Sequence, residues 1–91
     1  MDEEPRNPPA GTTLRVAVFA GLAEAVGART LDLPWSGGTA AELRAAAAAR
    51  TPAATALLAR SAVVVEGRHA ADGDPVAVGA DVALLPPVSG G

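Results

Sequence analysis

Leu14, Val16 and Val18 alternate with Arg15, Ala17 and Phe19 along the first regular stretch of the chain. A period of two places alternate side chains on opposite faces of a strand, so LRVAVFA is predicted as β with its Leu14 face buried. Gly21 then opens a short helical turn, LAEAV, which Gly27 closes where a left-handed residue commonly ends a helix. In ARTLDLPW, Leu31 and Leu33 share one face and Thr30 and Asp32 the other. Pro34 has no N–H to give to a ladder, which confines this second strand to an edge or ends it there.

After the loop SGG, Thr39 and Glu42 have the spacing of a capping box. They launch AAELRAAAAAR, the stretch of highest helix propensity. Its buried stripe is expected to be thin, consisting of Leu43, Ala46, Ala47 and the stem of Arg50, which suits a helix lying close to a sheet. Thr51-Pro52 reads as a second helix start, a cap followed by proline in the first turn, with Leu57 and Leu58 buried behind it. SAVVVEG is a third strand ended by a turn at Gly67. Residues 69–78 should form short edge strands around the turn signals Asp72-Gly73 and Asp74-Pro75. ADVALLPP closes the series, with Val82 and Leu84 facing one way and Ala83 and Leu85 the other.

This order predicts an α+β fold, one mixed sheet with a helix packed across one face. The first and last strands are expected to lie side by side and parallel in its middle. Residues 1–13 mix charge, proline and glycine without periodicity and read as a disordered arm. Residues 14–85 form the domain, and 86–91 an extended tail.

A chain of 91 residues is one domain by length, and a domain this small buries about 60% of its unfolded surface. The apolar fraction of 49% includes 23 alanines, so nine leucines and ten valines must do most of the packing. There is no cysteine and one histidine, His69, which leaves no thiol nucleophile and no cysteine- or histidine-rich metal cage. Net charge is −3 and all seven cations are scattered arginines, an unfavourable distribution for nucleic acid or an anionic membrane. No run approaches the roughly 20 apolar residues of a membrane span, and the acidic start lacks the apolar core of a secretory signal, so a cytoplasmic protein is expected.

The candidate chemistry lies at the other end, PPVSGG. Pro86 and Pro87 fix φ near −65° and favour an extended lead-out from the last strand. Gly90 and Gly91 have no Cβ, so a terminal carboxylate there could enter a narrow channel. Such a carboxylate is inert until activated, for instance as an acyl adenylate, after which it can accept sulfur or an amine. The alternative is a merely solvated glycine tail. The closeness of the glycines to a central strand and the stiff proline pair favour the functional reading.

Leu84-Leu85-Pro86-Pro87-Val88-Ser89-Gly90-Gly91 resembles the end of the MoaD/ThiS family of β-grasp, ubiquitin-like sulfur carriers, in particular the small subunit of molybdopterin synthase. LRVAVFAGLAEAVG, residues 14–27, resembles that family's first strand and turn. The sequence departs from the family in Val78-Gly79-Ala80-Asp81, where an Asp-Gly-Asp-Glu turn is common, and in Glu66, where asparagine is common. Leu84-Leu85 also replaces an aromatic pair.

The resemblance implies a mechanism. An E1-like adenylyltransferase (MoeB-like) uses ATP with magnesium to adenylate Gly91, which is then converted to a thiocarboxylate. The tail enters the large synthase subunit (MoaE-like) and passes sulfur to a pyranopterin, forming the dithiolene that binds molybdenum. Gly91 would carry the sulfur and Gly90 would give clearance. Phe19, Leu85, Pro86, Pro87, Val88 and Ser89 would meet the partner. The chain itself would bind no cofactor or metal and would not be catalytic alone. Other readings remain: a carrier for thiazole or cysteine synthesis, a ubiquitin-like modifier, or a simple interaction module.

Elsewhere the plain readings are preferred. Phe19, opposite the Leu14 face, is expected beside Leu85 on the uncovered face as a docking residue. His69 reads as a surface side chain and Trp35 as a lid on the core edge. Gly37-Gly38-Thr39 reads as a loop rather than an anion site, and Asp72 and Asp74 as turn formers rather than a catalytic pair.

Overall fold

A computed structural model describes residues 13–87. Strand β1, Thr13–Val18, starts one residue earlier than expected and buries Leu14, Val16 and Val18. Helix α1, Ala20–Val26, ends at Gly27, whose φ of 83° folds the chain back so that the Ala28 N–H also reaches the Ala23 carbonyl, at 3.2 Å. Strand β2, Thr30–Pro34, pairs antiparallel with β1 and is the sheet edge, where the missing N–H of Pro34 costs no ladder bond.

Helix α2, Ala40–Arg50, has a complete capping box. The Glu42 N–H donates to Thr39 Oγ1 at 3.2 Å, and the Thr39 N–H donates to Glu42 Oε1 at 2.8 Å. Its core-facing residues are Ala40, Leu43 and Ala47, all fully excluded from solvent. Arg50 departs from the expected stripe and is exposed. The 3₁₀ turn Pro52–Ala54 packs against the end of α2 and buries Ala54 instead, sparing a cationic stem from desolvation.

Thr51 stands at the N-cap of that turn with Pro52 at its first position, as expected, although its side chain makes no capping bond there. Its hydroxyl donates back to the Ala47 carbonyl at 2.8 Å, closing α2. Helix α3, Thr55–Ala59, buries Leu58 completely and Leu57 only in part. Burial of a leucine such as Leu58 contributes about 1.5–3 kcal/mol relative to exposure.

Strands β4, Ala62–Val65, and β5, Arg68–Ala70, form a hairpin whose two-residue turn is Glu66-Gly67. Strand β7, Val82–Leu85, lies in the centre, parallel to β1 and antiparallel to β4. The five-stranded order is β2-β1-β7-β4-β5, which places the first and last strands side by side as the sequence predicted.

Strand β6, Pro75–Val76, is not part of that sheet. It pairs with β3, Gly38–Thr39, in a separate two-stranded sheet, so the segment read as a loop is a short strand. Trp35 lies beneath it at 7% exposure and donates its indole N–H to the Val76 carbonyl at 3.0 Å. The same segment covers the start of α2. The Ala40 and Ala41 N–H groups donate to the carbonyls of Asp74 (2.9 Å) and Asp72 (3.0 Å). With Glu42 capped by Thr39, the first-turn donors that would hold an anion are already occupied. Asp72 also pairs with Arg44 through its carboxylate, and Asp74 accepts the Ala71 N–H at 2.9 Å, the behaviour of a turn former.

Gly38 is a point of close approach in this cluster. A Cβ there would lie 2.6 Å from Glu42 Oε1 and 3.1 Å from Trp35 Cη2. Gly38→Ala should therefore displace the capping carboxylate and the indole together, lowering stability by about 1–3 kcal/mol. Denaturant unfolding followed by Trp35 fluorescence measures this, and an unchanged midpoint would contradict the packing described.

Candidate functional site

The parallel pairing of β1 and β7 brings two chain segments out at the same end of the sheet. Val18 is in register with Leu84, so Phe19 and Leu85 are the next residues to emerge. Both follow a buried neighbour and neither belongs to the core. Leu85 is half-buried, and Phe19 is the most exposed large apolar side chain of the described residues at 48%. Strand β1 stops at Val18, and Phe19 stands at the cap of α1, at the end of the sheet rather than on its open face. The chain must turn here because Leu22, four residues beyond Val18, is drawn into the core.

Phe19, Leu57, Leu85, Pro86 and Pro87 surround a groove of about 570 Å³, which Ala20 and Gly21 complete. Every lining residue is uncharged and nearly all are apolar. The structure thus brings together four of the predicted partner-binding residues, Phe19, Leu85, Pro86 and Pro87. The others, Val88 and Ser89, lie outside the described residues, as do Gly90, Gly91 and residues 1–12.

Sequence reasoning missed Leu57 as a lining residue. It was grouped with Leu58 as core, but adjacent helical residues point about 100° apart, so only one can face fully inward. The two apolar neighbours in a five-residue helix were the available signal.

His69 is exposed on edge strand β5, away from the groove. Among the described residues no group of three or more histidines, cysteines or carboxylates could hold a metal ion. No helix among them is long and apolar enough to cross a membrane. The groove offers shape and apolar surface but no nucleophile, acid or base. Its shape and apolar lining suit the docking of an apolar surface.

The sequence profile of the ThiS family matches residues 16–91. No curated protein matches the chain. Among solved structures the chain is similar to small archaeal modifier protein 1 from Haloferax volcanii, with 31% identity and a TM-score of 0.74 over 87% of this chain and 99% of that one. It is also similar to a Pyrococcus furiosus protein provisionally described as molybdopterin converting factor, subunit 1. That match has 19% identity and a TM-score of 0.72, and covers 85% of this chain and 99% of the other. The small archaeal modifier protein 1 of Methanosarcina acetivorans matches at 19% identity and a TM-score of 0.72, over 88% of this chain and 97% of that one. At these lower identities the likeness is one of fold.

Proposed function

The chain belongs to the ThiS family and has the ubiquitin-like β-grasp fold of sulfur carriers and ubiquitin-like modifiers; from that premise we propose that it is the small, sulfur-carrying subunit of a cytoplasmic molybdopterin synthase. In this reading the carboxyl group of Gly91 is adenylated with magnesium ATP by an E1-like adenylyltransferase and becomes a thiocarboxylate. The large synthase subunit then takes the sulfur for a pyranopterin. The single observation that carries the reading is the continuity of central strand β7 into Leu85-Pro86-Pro87 at the rim of an apolar groove, directly ahead of Val88-Ser89-Gly90-Gly91.

Strand β7 is hydrogen-bonded on both sides, by β1 and β4, so the tail starts from a rigid anchor. Four extended residues reach at most about 14 Å beyond Pro87. A protein that docks in the groove is therefore near enough to act on Gly91. The activating enzyme and the large subunit would each use this surface in turn.

A second reading, a ubiquitin-like protein modifier, is favoured by one specific observation, the 31% identity with small archaeal modifier protein 1. The chain has no lysine, so it could not build lysine-linked chains of itself but could still be attached to other proteins. Intact-mass spectrometry separates the two. After incubation with the activating enzyme, magnesium ATP and a sulfur donor, a carrier should gain the mass of sulfur minus oxygen at a free terminus. A terminus that remains a plain carboxylate, with the chain found joined through Gly91 to other proteins, would establish the modifier reading instead.

A further inference from the structure

Two non-glycine residues of the described chain have left-handed backbones, Ala20 and Glu66, each with φ of 52°. Glu66 is explained by the β4–β5 hairpin, whose two-residue turn requires that geometry. Ala20 lies in no hairpin. It is the first residue of α1, where its Cβ crowds the following carbonyl in a way glycine would avoid. The neighbouring Gly21 has open space where a Cβ would stand, so the glycine lies one position away from the strain.

The surroundings impose this conformation. Val18 and Leu22 are buried at 2% and 0% exposure and fasten both ends of a three-residue bend. Within it Phe19 is extended, with φ −132° and ψ 157°. Its carbonyl accepts the N–H groups of Leu22 at 3.0 Å and Ala23 at 3.2 Å. The left-handed step at Ala20 turns the chain from strand to helix and leaves the Phe19 ring outside the core. On one side of Phe19 is the groove with Leu57, Leu85 and Pro86. On the other is a hollow of about 320 Å³ lined by Val18, Ala23 and Arg29. Phe19 and Ala20 border both, so the ring forms a ridge between two depressions.

We propose that Ala20 is a positioning residue for docking of the large synthase subunit: its strained backbone, locked between Val18 and Leu22, holds Phe19 as a ridge that this subunit grips from both sides. This rests on the docking role assigned above to the groove. Strained residues persist where the surroundings over-determine them, and they cluster at ligand clamps. An aromatic ring already held in its bound position loses little freedom on association.

Ala20→Gly tests the proposal, because glycine accepts this φ without strain but also adopts many others. The thermal midpoint should stay the same or rise. The amide order parameter at residues 19 and 20 should fall below the roughly 0.85 of rigid backbone. Affinity for the large synthase subunit, measured by calorimetry, should weaken about two- to fivefold. A gain or neutrality in stability together with a loss of affinity is a combination that a purely structural role would not produce. Phe19→Asp is measured alongside. If that variant loses binding while Ala20→Gly binds as wild type does, the positioning role is overturned and the docking surface stands. If neither variant differs from wild type, the docking reading fails and the positioning role with it.

Discussion

Deletion of Gly91 is expected to abolish sulfur transfer and leave the fold intact. Among the described residues the core closes at Leu84 and the central strand ends at Leu85, six residues before Gly91. The thermal midpoint followed through Trp35 should match that of the full chain. Removing one residue withdraws the terminal carboxylate by about 3.5 Å along an extended tail. A misplacement of about 1 Å at a reacting centre can cost on the order of 10²-fold, so sulfur incorporation into the pterin should drop below detection. The mass gain that marks the thiocarboxylate should vanish as well. Undiminished synthase activity in the shortened protein would exclude Gly91 as the sulfur-bearing residue.

Phe19→Asp should produce the second large effect, on association. Phe19 is half-exposed and borders the groove at the root of the tail, where an aromatic anchor would be buried by a partner. Truncating such an anchor commonly costs 2 kcal/mol or more, and placing a charge in an apolar contact adds desolvation. The dissociation constant with the large subunit should therefore rise at least about 30-fold. The monomer should not suffer. Phe19 is the cap residue of α1 and makes no side-chain capping bond, whereas aspartate is among the preferred residues there. Its carboxylate could accept an N–H of the first turn and favour the helix by about 0.5–1 kcal/mol. Calorimetry of the complex and a melting curve of the free protein test both halves. Normal binding would mean that Phe19 is no docking anchor, and a variant that unfolds would mean that the domain itself depends on the ring.

Much of the fold was legible because its signals are short-range. The alternation of Leu14, Val16 and Val18 defined the buried face of β1, and the same reading assigned Val82 and Leu84 of β7. The capping box at Thr39 and Glu42 and the terminator at Gly27 lie where the spacing placed them. Arg50 was misread because a helical stripe says nothing about where the next segment packs. The 3₁₀ turn with buried Ala54 decided that.

The candidate site was legible in part. Phe19, Leu85, Pro86 and Pro87 could be picked out from alternation, from their neighbourhood to the last strand and from the family resemblance. Their closure into one groove needed Leu57, which comes from a helix read as core. Gly91, on which the sulfur chemistry would take place, and Gly90 beside it lie outside the described residues and were legible only as a sequence motif.

By itself, then, the sequence determined what can be decided within a few residues: which face of a strand is apolar, where a helix begins and ends, and that the chain leaves β7 through two prolines. Packing between distant segments decided the rest. It drew β6 out of the main sheet to pair with β3 over Trp35, and it used the carbonyls of Asp72 and Asp74 to occupy the first-turn donors of α2. It also forced Ala20 into a left-handed backbone, because Val18 and Leu22 are both fastened in the core. No local preference of alanine would choose that conformation. Only the burial on either side makes its strain worth bearing, and that burial depends on the whole domain.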